Sequence, residues 1–230
     1  MNIQPIRTDM FGEDENLQAF ITQHISRLED CSLIVVTSKI VALAEGRTAS
    51  VADKDRIIKK ESTWAVPTKY VTLTMKDGML LANAGVDESN ADGKLVLLPK
   101  DSFKAAVALR KALMKHYKIK KLGVLITDSR VMPLRAGVIG VALGYAGFKG
   151  ARDYRGKKDL YGRAFKFEQT NVADSLATAA ALVMGEGSER QPLAVITEAP
   201  VEFTDKVHRK ELVIAEKDDM YRPLFKKAKR

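Results

Sequence analysis

The sequence predicts a mixed α/β fold, a single compact domain in which mixed sheets are flanked by helices. Two short runs without a polar residue, residues 33–36 and 122–126, are typical of strands buried on both faces. Other segments carry apolar residues at helical spacing, which predicts helices that cover such a sheet. The 230 residues, 46% of them hydrophobic, suffice for one sizeable core.

The first part of the chain predicts a helix, a strand and a second, short helix. Apolar residues recur at helical spacing over residues 14–29, and an acidic cluster at the start of this segment favours the N-terminal end of a helix dipole. The strand at residues 33–36 ends at Thr37 and Ser38. Their hydroxyls are good caps for the short apolar helix expected over residues 40–44.

The middle of the chain predicts a hairpin and a long helix. An Asp-Gly turn separates the alternating residues 70–75 from the returning residues 79–82, which is typical of a hairpin. Residues 102–118 carry an apolar side along their length, and Asp101 or Ser102 is the expected N-cap.

The last regular elements are a strand, a helix and a strand. The strand at residues 122–126 is expected to end at a polar Thr-Asp-Ser sequence. A helix is expected over residues 172–184, capped by Asn171 and stopped by Gly185. Residues 193–196 are a short apolar strand.

Four glycines, Gly137, Gly140, Gly144 and Gly147, follow one another at spacings of three, four and three within an apolar segment. Such a series requires close backbone approach or several positive φ angles. The chain has neither G-x-G-x-x-G after a strand nor G-x-x-x-x-G-K-[ST]. A nucleotide site would therefore be of neither the Rossmann nor the Walker type.

The net charge of +9 is concentrated at the C-terminus. The last ten residues, 221–230, hold five basic residues and no acidic one, so the remainder carries 9 minus 5, or +4. We expect residues 1–200 to form the main domain and residues 201–230 a charged extension, packed on it or trailing from it. A short basic tail is usually solvated, and no nucleic-acid-binding motif accompanies it, so nucleic acid is not expected as a partner.

Cys31 is the only cysteine, which excludes an internal disulfide and a thiolate zinc site. This usage favours a reducing compartment, and we expect the cytoplasm. We expect Cys31 to be a small buried apolar residue. No apolar run reaches the roughly 20 residues that a spanning helix needs, and the N-terminus does not resemble a secretory signal, so no membrane association is expected.

Three carboxylates lie on glycine-bearing loops at the ends of expected strands: Asp87, Asp128 and Glu186. Oxygen ligands from separate loops are what Mg²⁺ or Mn²⁺ requires, above all when the metal also holds substrate phosphates. The alternative is that Asp87 and Asp128 are turn or cap residues, and the pattern alone favours that alternative.

A second cluster is basic and aromatic, and its candidates for binding are Arg135, Arg155 and Arg163. Guanidinium groups bind carboxylates and phosphates through two hydrogen bonds, which indicates an anionic ligand. The alternative is a surface loop whose Asp and Arg side chains pair with each other. The three histidines are too scattered for a metal site or a triad, and structural roles are expected for His24 and His116.

Five motifs, in this order along the chain, resemble one known family. They are V-V-T-S-K-I-V with A-E-G-R over residues 35–47, N-A-G-V-D-E-S-N at 83–90, G-V-I-G-V-A-L-G-Y-A-G at 137–147, D-Y-R-G-K-K-D-L-Y-G-R at 153–163, and N-V-A-D-S-L-A-T-A-A-A-L-V-M-G at 171–185. Over about residues 8–197 the chain resembles the coenzyme F-420:L-glutamate ligase family, the gamma-glutamyl ligases. Five collinear motifs are more specific than one glycine loop, so the resemblance reverses the preference stated above for the carboxylates.

The resemblance implies a GTP-dependent ligase that phosphorylates a substrate carboxylate and lets the amine of L-glutamate displace the phosphate. It also implies Mg²⁺ or Mn²⁺, and a homodimer of mixed α/β subunits. Metals neutralise charge on a transferred phosphoryl group and position the reactants, so the implied chemistry is coherent. The implied acceptor is the deazaflavin precursor of coenzyme F-420, and the pterin cofactor tetrahydrofolate is the alternative.

The family's site residues map onto this chain motif by motif. The resemblance implies four metal ligands: Asp87, Asp128, Ser129 (where the family usually has threonine) and Glu186. It implies nucleotide contacts at Ser38, Lys39, Asn90, Met184, Gly185, Gly187, Ser188 and Glu189. The three arginines of the basic cluster are the candidates for anionic substrate groups.

The chain also departs from the family pattern. Leu43 stands where the family has a lysine, so one nucleotide contact is expected to be lost. Residues 8–11 and the loop at 128–137 differ from the family's sequences there, which leaves the acceptor open between the F-420 precursor and folate. The alternative of another class is a non-catalytic protein that binds a polyanion through the tail at 222–230. The intact set of metal ligands argues against it.

Overall fold

The computed structural model describes residues 1–224. Its helices are α1 (Leu17–His24), α2 (Ser38–Ala44), α3 (Lys54–Glu61), α4 (Ser102–Tyr117) and α5 (Val172–Met184), with short 3-10 helices at Val51–Asp53 and Asn83–Gly85. Its strands are β1 (Asn2–Ile6), β2 (Ser32–Thr37), β3 (Thr48–Ser50), β4 (Trp64–Pro67), β5 (Thr72–Lys76), β6 (Met79–Ala82), β7 (Lys94–Val96), β8 (Leu122–Val131), β9 (Val138–Ala146), β10 (Ala151–Asp153), β11 (Gln169–Asn171) and β12 (Leu193–Thr197).

A five-stranded mixed sheet with the order β1-β12-β2-β8-β9 forms the centre. Strands β2 and β8 are parallel, and the other neighbours in this sheet are antiparallel. Three small sheets, β3-β7, β4-β5-β6 and β10-β11, surround it. The predicted mixed α/β architecture is confirmed.

Side chains of the central strands point alternately to two hydrophobic cores. On β2, Ile34 and Val36 belong to the core that α1, α2 and α4 cover, and Leu33 and Val35 belong to the core that α5 covers. Both faces of the sheet are therefore buried. This explains why the strand sequence has no polar alternation.

The four glycines show both features that their spacing predicts, which are close backbone approach and positive φ angles. A Cβ at Gly140 would lie 2.4 Å from a carbonyl oxygen of α5, and one at Gly144 would lie 2.4 Å from a backbone carbon at the start of α4. Gly137 and Gly147 have φ angles of 85° and 93°. Two of the glycines thus admit helices, and two allow backbone turns that other residues rarely adopt.

Several predicted elements are confirmed with their caps. The carboxylate of Asp101 accepts a hydrogen bond from the Lys104 amide at 2.9 Å and begins α4. Asn171 caps α5 in the same way, and Gly185 follows its last residue. The hairpin of β5 and β6 turns at Asp77 and Gly78, both with positive φ, as an Asp-Gly hairpin turn requires.

The first predicted helix is too long, because neither end of residues 14–29 adopts helical geometry. Asp14 has a φ angle of 60°, and α1 begins only after Asn16, whose side chain accepts a hydrogen bond from the Ala19 amide. At the other end Ile25 is extended. Ile25 and Leu28 are nevertheless buried, so their apolar spacing reflects packing of an irregular segment.

Three smaller predictions are wrong. Thr37 makes no side-chain cap for α2, and the Ser38 hydroxyl donates to Asp128 instead. The strand β8 does not end at Ile126 but continues to Val131, because β9 pairs with it along that length. Cys31 is exposed, because it occupies a turn with a φ angle of 66° before β2.

The first part of the C-terminal extension lies against the main body. Phe203 forms a bridge with Phe148, and Leu212 packs against the core beneath α5. The division at residue 200 stays a prediction. Of the basic tail residues, Arg222 is described, and Lys226, Lys227, Lys229 and Arg230 lie outside the described residues. Across residues 1–224, no helix has the length and apolar character needed to cross a membrane.

Candidate active site

The two parallel strands bring polar side chains to one edge of the central sheet. Thr37 of β2 is paired with Thr127 of β8, so Ser38 and Asp128 follow side by side. The Ser38 hydroxyl donates to Asp128 Oδ1 at 2.7 Å. The carboxyl ends of parallel strands are where α/β folds bind their ligands.

A second wall comes from the loop after β6. Asp87 is fixed there by backbone hydrogen bonds to Val96 in both directions, at 3.0 and 2.9 Å. Its Oδ2 accepts hydrogen bonds from Lys39 Nζ and from the Ser89 hydroxyl, both at 2.7 Å. Lys39 lies one residue after Ser38, so this contact joins the loop to the sheet edge.

The end of α5 supplies the third wall. Gly185 ends the helix with a φ angle of 82°, and the chain then turns into the cleft. The Ser129 hydroxyl donates to Glu186 Oε2 at 2.5 Å, and the side-chain amide of Asn90 donates from Nδ2 to the Gly187 carbonyl at 3.2 Å. The three walls are thus connected to one another by side chains.

The walls enclose a cleft of about 840 Å³. It is lined by every residue for which a metal or nucleotide role is predicted: Ser38, Lys39, Asp87, Asn90, Asp128, Ser129, Met184, Gly185, Glu186, Gly187, Ser188 and Glu189. The structure therefore brings together residues from separate stretches of sequence. Their roles stay predictions.

The cleft has further lining residues that sequence reasoning did not assign to it, among them residues 8–11, Asn83 and Ser89. Ser89 lies inside the N-A-G-V-D-E-S-N motif, so the motif itself carried a signal for it. For residues 8–11 the signal was their departure from the family's sequence, and they reach the cleft through a tertiary contact in which the Thr8 backbone amide donates to the Arg190 carbonyl at 2.9 Å.

Burial affects the two aspartates differently. It raises the pKa of Asp128 to about 6, and the neighbouring charge of Asp87 acts in the same direction. Burial also acts to raise the pKa of Asp87, but the hydrogen bonds from Lys39 and Ser89 outweigh it, so that pKa lies below its usual value. The sheet edge therefore favours additional positive charge near Asp128.

The donor chemistry of this edge fits a divalent cation. Asp87, Asp128, Ser129 and Glu186 offer carboxylate and hydroxyl oxygens, which Mg²⁺ and Mn²⁺ prefer. Within residues 1–224, no three His, Cys, Asp or Glu side chains converge as a preformed metal site. The donors stand instead in hydrogen-bonded contacts with Ser38, Lys39 and one another.

The three predicted arginines do not line the cleft. Arg155 binds Asp153 through its Nη2 at 2.5 Å, and Arg163 contacts Asp159 at 3.2 Å. Both pairs lie on the exposed hairpin that joins β10 to β11, as the local-pairing alternative predicts. Arg135 lies in the loop between β8 and β9. Contact of these arginines with anionic substrate groups stays a prediction, as does the homodimer.

Comparison with known proteins decides the family. A family model described as F420-0:Gamma-glutamyl ligase matches residues 54–198. The chain belongs to this family. Coenzyme F420:L-glutamate ligase of Methanocaldococcus jannaschii is 32% identical over an alignment that covers 92% of each chain. The protein of that name from Archaeoglobus fulgidus is 30% identical and covers 95% of this chain and 94% of its own.

A third relative, Coenzyme F420:L-glutamate ligase of Methanococcus maripaludis, is 41% identical over 170 residues, 73% of this chain and 67% of its own. This member of the F420-0:gamma-glutamyl ligase family is therefore an enzyme that forms amide bonds. The matched region includes Asp87, Asp128 and Glu186, the carboxylates that lie in the cleft.

Proposed function

We propose that this ligase joins L-glutamate to the carboxylate of a coenzyme F420 precursor as a γ-glutamyl amide, and that it consumes GTP. The observation that carries the proposal is the single cleft in which the β2-β8 edge, the Asp87 loop and the end of α5 meet. The names of the relatives support the coenzyme F420 precursor, and not tetrahydrofolate, as the acceptor. A volume of about 840 Å³ falls in the range of small-molecule sites.

In this proposal Asp87, Asp128, Ser129 and Glu186 hold Mg²⁺ or Mn²⁺. When bound, the metal neutralises charge on the phosphoryl group and helps to orient the phosphates. The Ser38 hydroxyl keeps Asp128 in place through its 2.7 Å hydrogen bond. Glu186 is held toward the same edge by Ser129.

The remaining cleft residues bind the nucleotide. Lys39 brings an ammonium group to the edge, where it can contact phosphate oxygens. Gly185 and Gly187 have no side chains, which leaves room beside the backbone for the Glu189 carboxylate, and that carboxylate accepts a hydrogen bond from the Gly187 backbone amide at 2.8 Å. The Asn90 amide holds the Gly187 carbonyl and fixes the position of that loop.

The reaction proceeds in two displacements. A carboxylate oxygen of the acceptor attacks the γ-phosphorus, the bond from that phosphorus to the bridging oxygen breaks, and GDP leaves. The amine nitrogen of L-glutamate then attacks the acyl carbon, phosphate leaves with the electrons of the C–O bond, and the nitrogen releases a proton. The first step needs the attacking and leaving oxygens in line with the phosphorus, and the second needs the amine placed against the face of the acyl carbon. A cleft with three connected walls can hold the reactants in both arrangements.

The test is a mass-spectrometric assay with Mn²⁺, L-glutamate, GTP and the F420 precursor. We expect a product heavier by one glutamyl unit, and parallel reactions with ATP or tetrahydrofolate identify the nucleotide and the acceptor. Asp128→Asn is expected to lower turnover at least about 100-fold, because loss of a ligand exceeds the 10- to 100-fold effect typical of residues that only support ligands.

The matched control is Asp55→Asn, which makes the same change at an exposed position on α3, outside the cleft. It is expected to keep full turnover. The amide oxygen introduced by Asp128→Asn would still accept the Ser38 hydrogen bond, so the thermal midpoint of that variant should not fall. Full activity of Asp128→Asn would contradict the site, and absence of product with every acceptor and nucleotide would contradict the proposed reaction.

A further inference from the structure

A row of lysines runs along the solvent-facing side of α4, away from the cleft. From residue 102 to residue 121 the chain has no Asp or Glu, whereas Lys and Arg recur throughout. At 100° per residue, Lys104, Lys111 and Lys115 point within about 40° of one another, and they span about 17 Å along the helix axis. All three side chains are exposed. We call these three residues the lysine row.

The lysine row is not used to hold the fold together. Within residues 1–224, none of its members forms an ion pair with a carboxylate. Arg110 of the same helix behaves differently: its side chain is mostly buried, donates to the Leu122 carbonyl and pairs with Asp205 at 2.7 Å. Arg110 therefore has its partners within the fold, whereas the ammonium groups of the lysine row can bind another molecule.

More positive charge extends the lysine row at its far end. Lys118, Lys120 and Lys121 are exposed in the connection from α4 to β8. The turn beside them holds Glu29 and Asp30, and the Asp30 carboxylate accepts hydrogen bonds from the Lys120 and Lys121 backbone amides. Because β8 runs from this connection toward Asp128, the extended end lies at the edge of the sheet opposite to the cleft.

Although the sequence has no nucleic-acid-binding motif and led us to expect no such partner, we propose that the lysine row binds the phosphodiester backbone of duplex nucleic acid without sequence preference. Three neighbouring cations that have no ion pair within the fold attract the closely spaced negative charges of a phosphodiester backbone, and ammonium groups bind phosphates as point charges. A membrane surface fits less well, because within residues 1–224 the exposed large apolar side chain of α4 is Val107, and no Phe, Tyr or Trp side chain of that helix is exposed.

The test measures binding of the full chain to a labelled duplex of about 20 base pairs, as RNA and as DNA, by fluorescence anisotropy over a range of salt concentrations. At low salt we expect a Kd of about 10⁻⁶ to 10⁻⁴ M, and a strong decrease in affinity as salt rises. The variant Lys104→Gln, Lys111→Gln, Lys115→Gln should bind at least about tenfold more weakly. Its slope of log K against log salt should be lower by about 3.

The matched control is Lys59→Gln, Lys60→Gln, Lys69→Gln, which removes the same charge from exposed positions on α3 and the β4-β5 hairpin. It should bind as the parent does. Both variants keep the complete C-terminus and the cleft, so the tail contributes equally and ligase turnover should be unchanged. Equal losses in both variants, no binding at about 50 mM salt, or tighter binding to phosphatidylserine vesicles than to either duplex would overturn the proposal.

Discussion

At the scale of single residues, Glu61 ties three parts of the chain together electrostatically. Its Oε2 accepts from Lys76 of β5 at 2.6 Å and from Arg47, which follows α2, at 3.0 Å. The Glu61 side chain is only 13% exposed. Burial acts to raise its pKa, but the two cations outweigh burial and hold the pKa below its usual value. The ionised form is therefore the one that stabilises the fold.

Glu61→Gln is expected to lower the free energy of unfolding at pH 7 by about 1–2 kcal/mol, because two charge-assisted hydrogen bonds are weakened. A carboxylate with a lowered pKa contributes stability above its unfolded pKa, and this contribution is lost as pH falls through the folded pKa. The difference from the parent should thus be full at pH 7, begin to decrease near pH 4.5, the usual glutamate value, and vanish only once the pH lies below the lowered pKa of folded Glu61. Urea unfolding at several pH values measures it.

The control for this prediction is Glu202→Gln, which removes a carboxylate paired with Lys149 on the surface, where the side chains are 67% and 43% exposed. Its cost should stay below about 0.5 kcal/mol at every pH. A Glu61 variant that behaves like the Glu202 variant would show that the three-residue contact contributes no stability.

Residue types were readable from the sequence, but their partners were not. Asp87 and Asp128 stand out because acidic residues come after apolar strands, and Glu186 stands out because it lies between two glycines directly after a helix. The hydrogen bond from Ser38 to Asp128 joins residues 90 positions apart and exists only because β2 and β8 are parallel neighbours. Local pattern contains no information on such a pairing, and the same holds for Glu61 and its cations.

At the scale of elements, one irregularity in β9 decides where two helices pack. Ile126 of β8 is paired with Gly144 and Thr127 with Ala142, so Leu143 is an extra residue. The bulge reverses the alternation of side chains. Gly140 therefore faces α5, and Gly144, four residues later, faces α4.

Gly144→Ala is expected to destabilise the protein by about 2–4 kcal/mol. The added Cβ would lie 2.4 to 2.7 Å from backbone atoms of Ser102 and Phe103, so α4 must move from the sheet. The comparison is Gly78→Ala in the exposed hairpin turn, where nothing lies within 4 Å and the cost is the strain of a positive φ, about 1 kcal/mol. Thermal unfolding of the two variants checks the order, and an equal or smaller loss at Gly144 contradicts the packing argument.

Sequence periodicity predicted the elements that are regular and failed where a neighbour sets the geometry. Helix α5 matches its expected bounds because Asn171 and Gly185 carry local start and stop signals. The length of β8 could not be predicted in this way. Residues 127–131 belong to the strand only because they pair with β9. The bulge at Leu143 likewise has no local signature beyond the glycines on either side of it.

At the scale of the whole molecule, residues 201–212 run as a strap over the end of β9 and the start of α4. The Lys149 amide donates to the Glu202 carbonyl and the Thr204 amide to the Gly147 carbonyl, at 2.9 and 3.0 Å. Glu211 accepts from the Tyr145 hydroxyl at 2.7 Å, and burial and this carboxylate both raise the pKa of Tyr145, so the phenol remains a donor. The strap therefore satisfies polar groups that the core would otherwise leave buried without partners.

A chain that ends after Leu212 should keep its thermal midpoint within about 2 °C, whereas a chain that ends after Pro200 should lose at least about 6 °C. The longer deletion removes Phe203, Leu212 and the Glu211 carboxylate from their contacts, a loss of about 3 kcal/mol or more, and a domain of this size shifts by about 2–4 °C per kcal/mol. The shorter deletion removes Val213 and Ile214, which are 56% and 66% exposed. Equal midpoints for the two truncated chains would mean that the main domain ends at residue 200. A midpoint that falls only in the longer deletion places the boundary of the main domain after the strap.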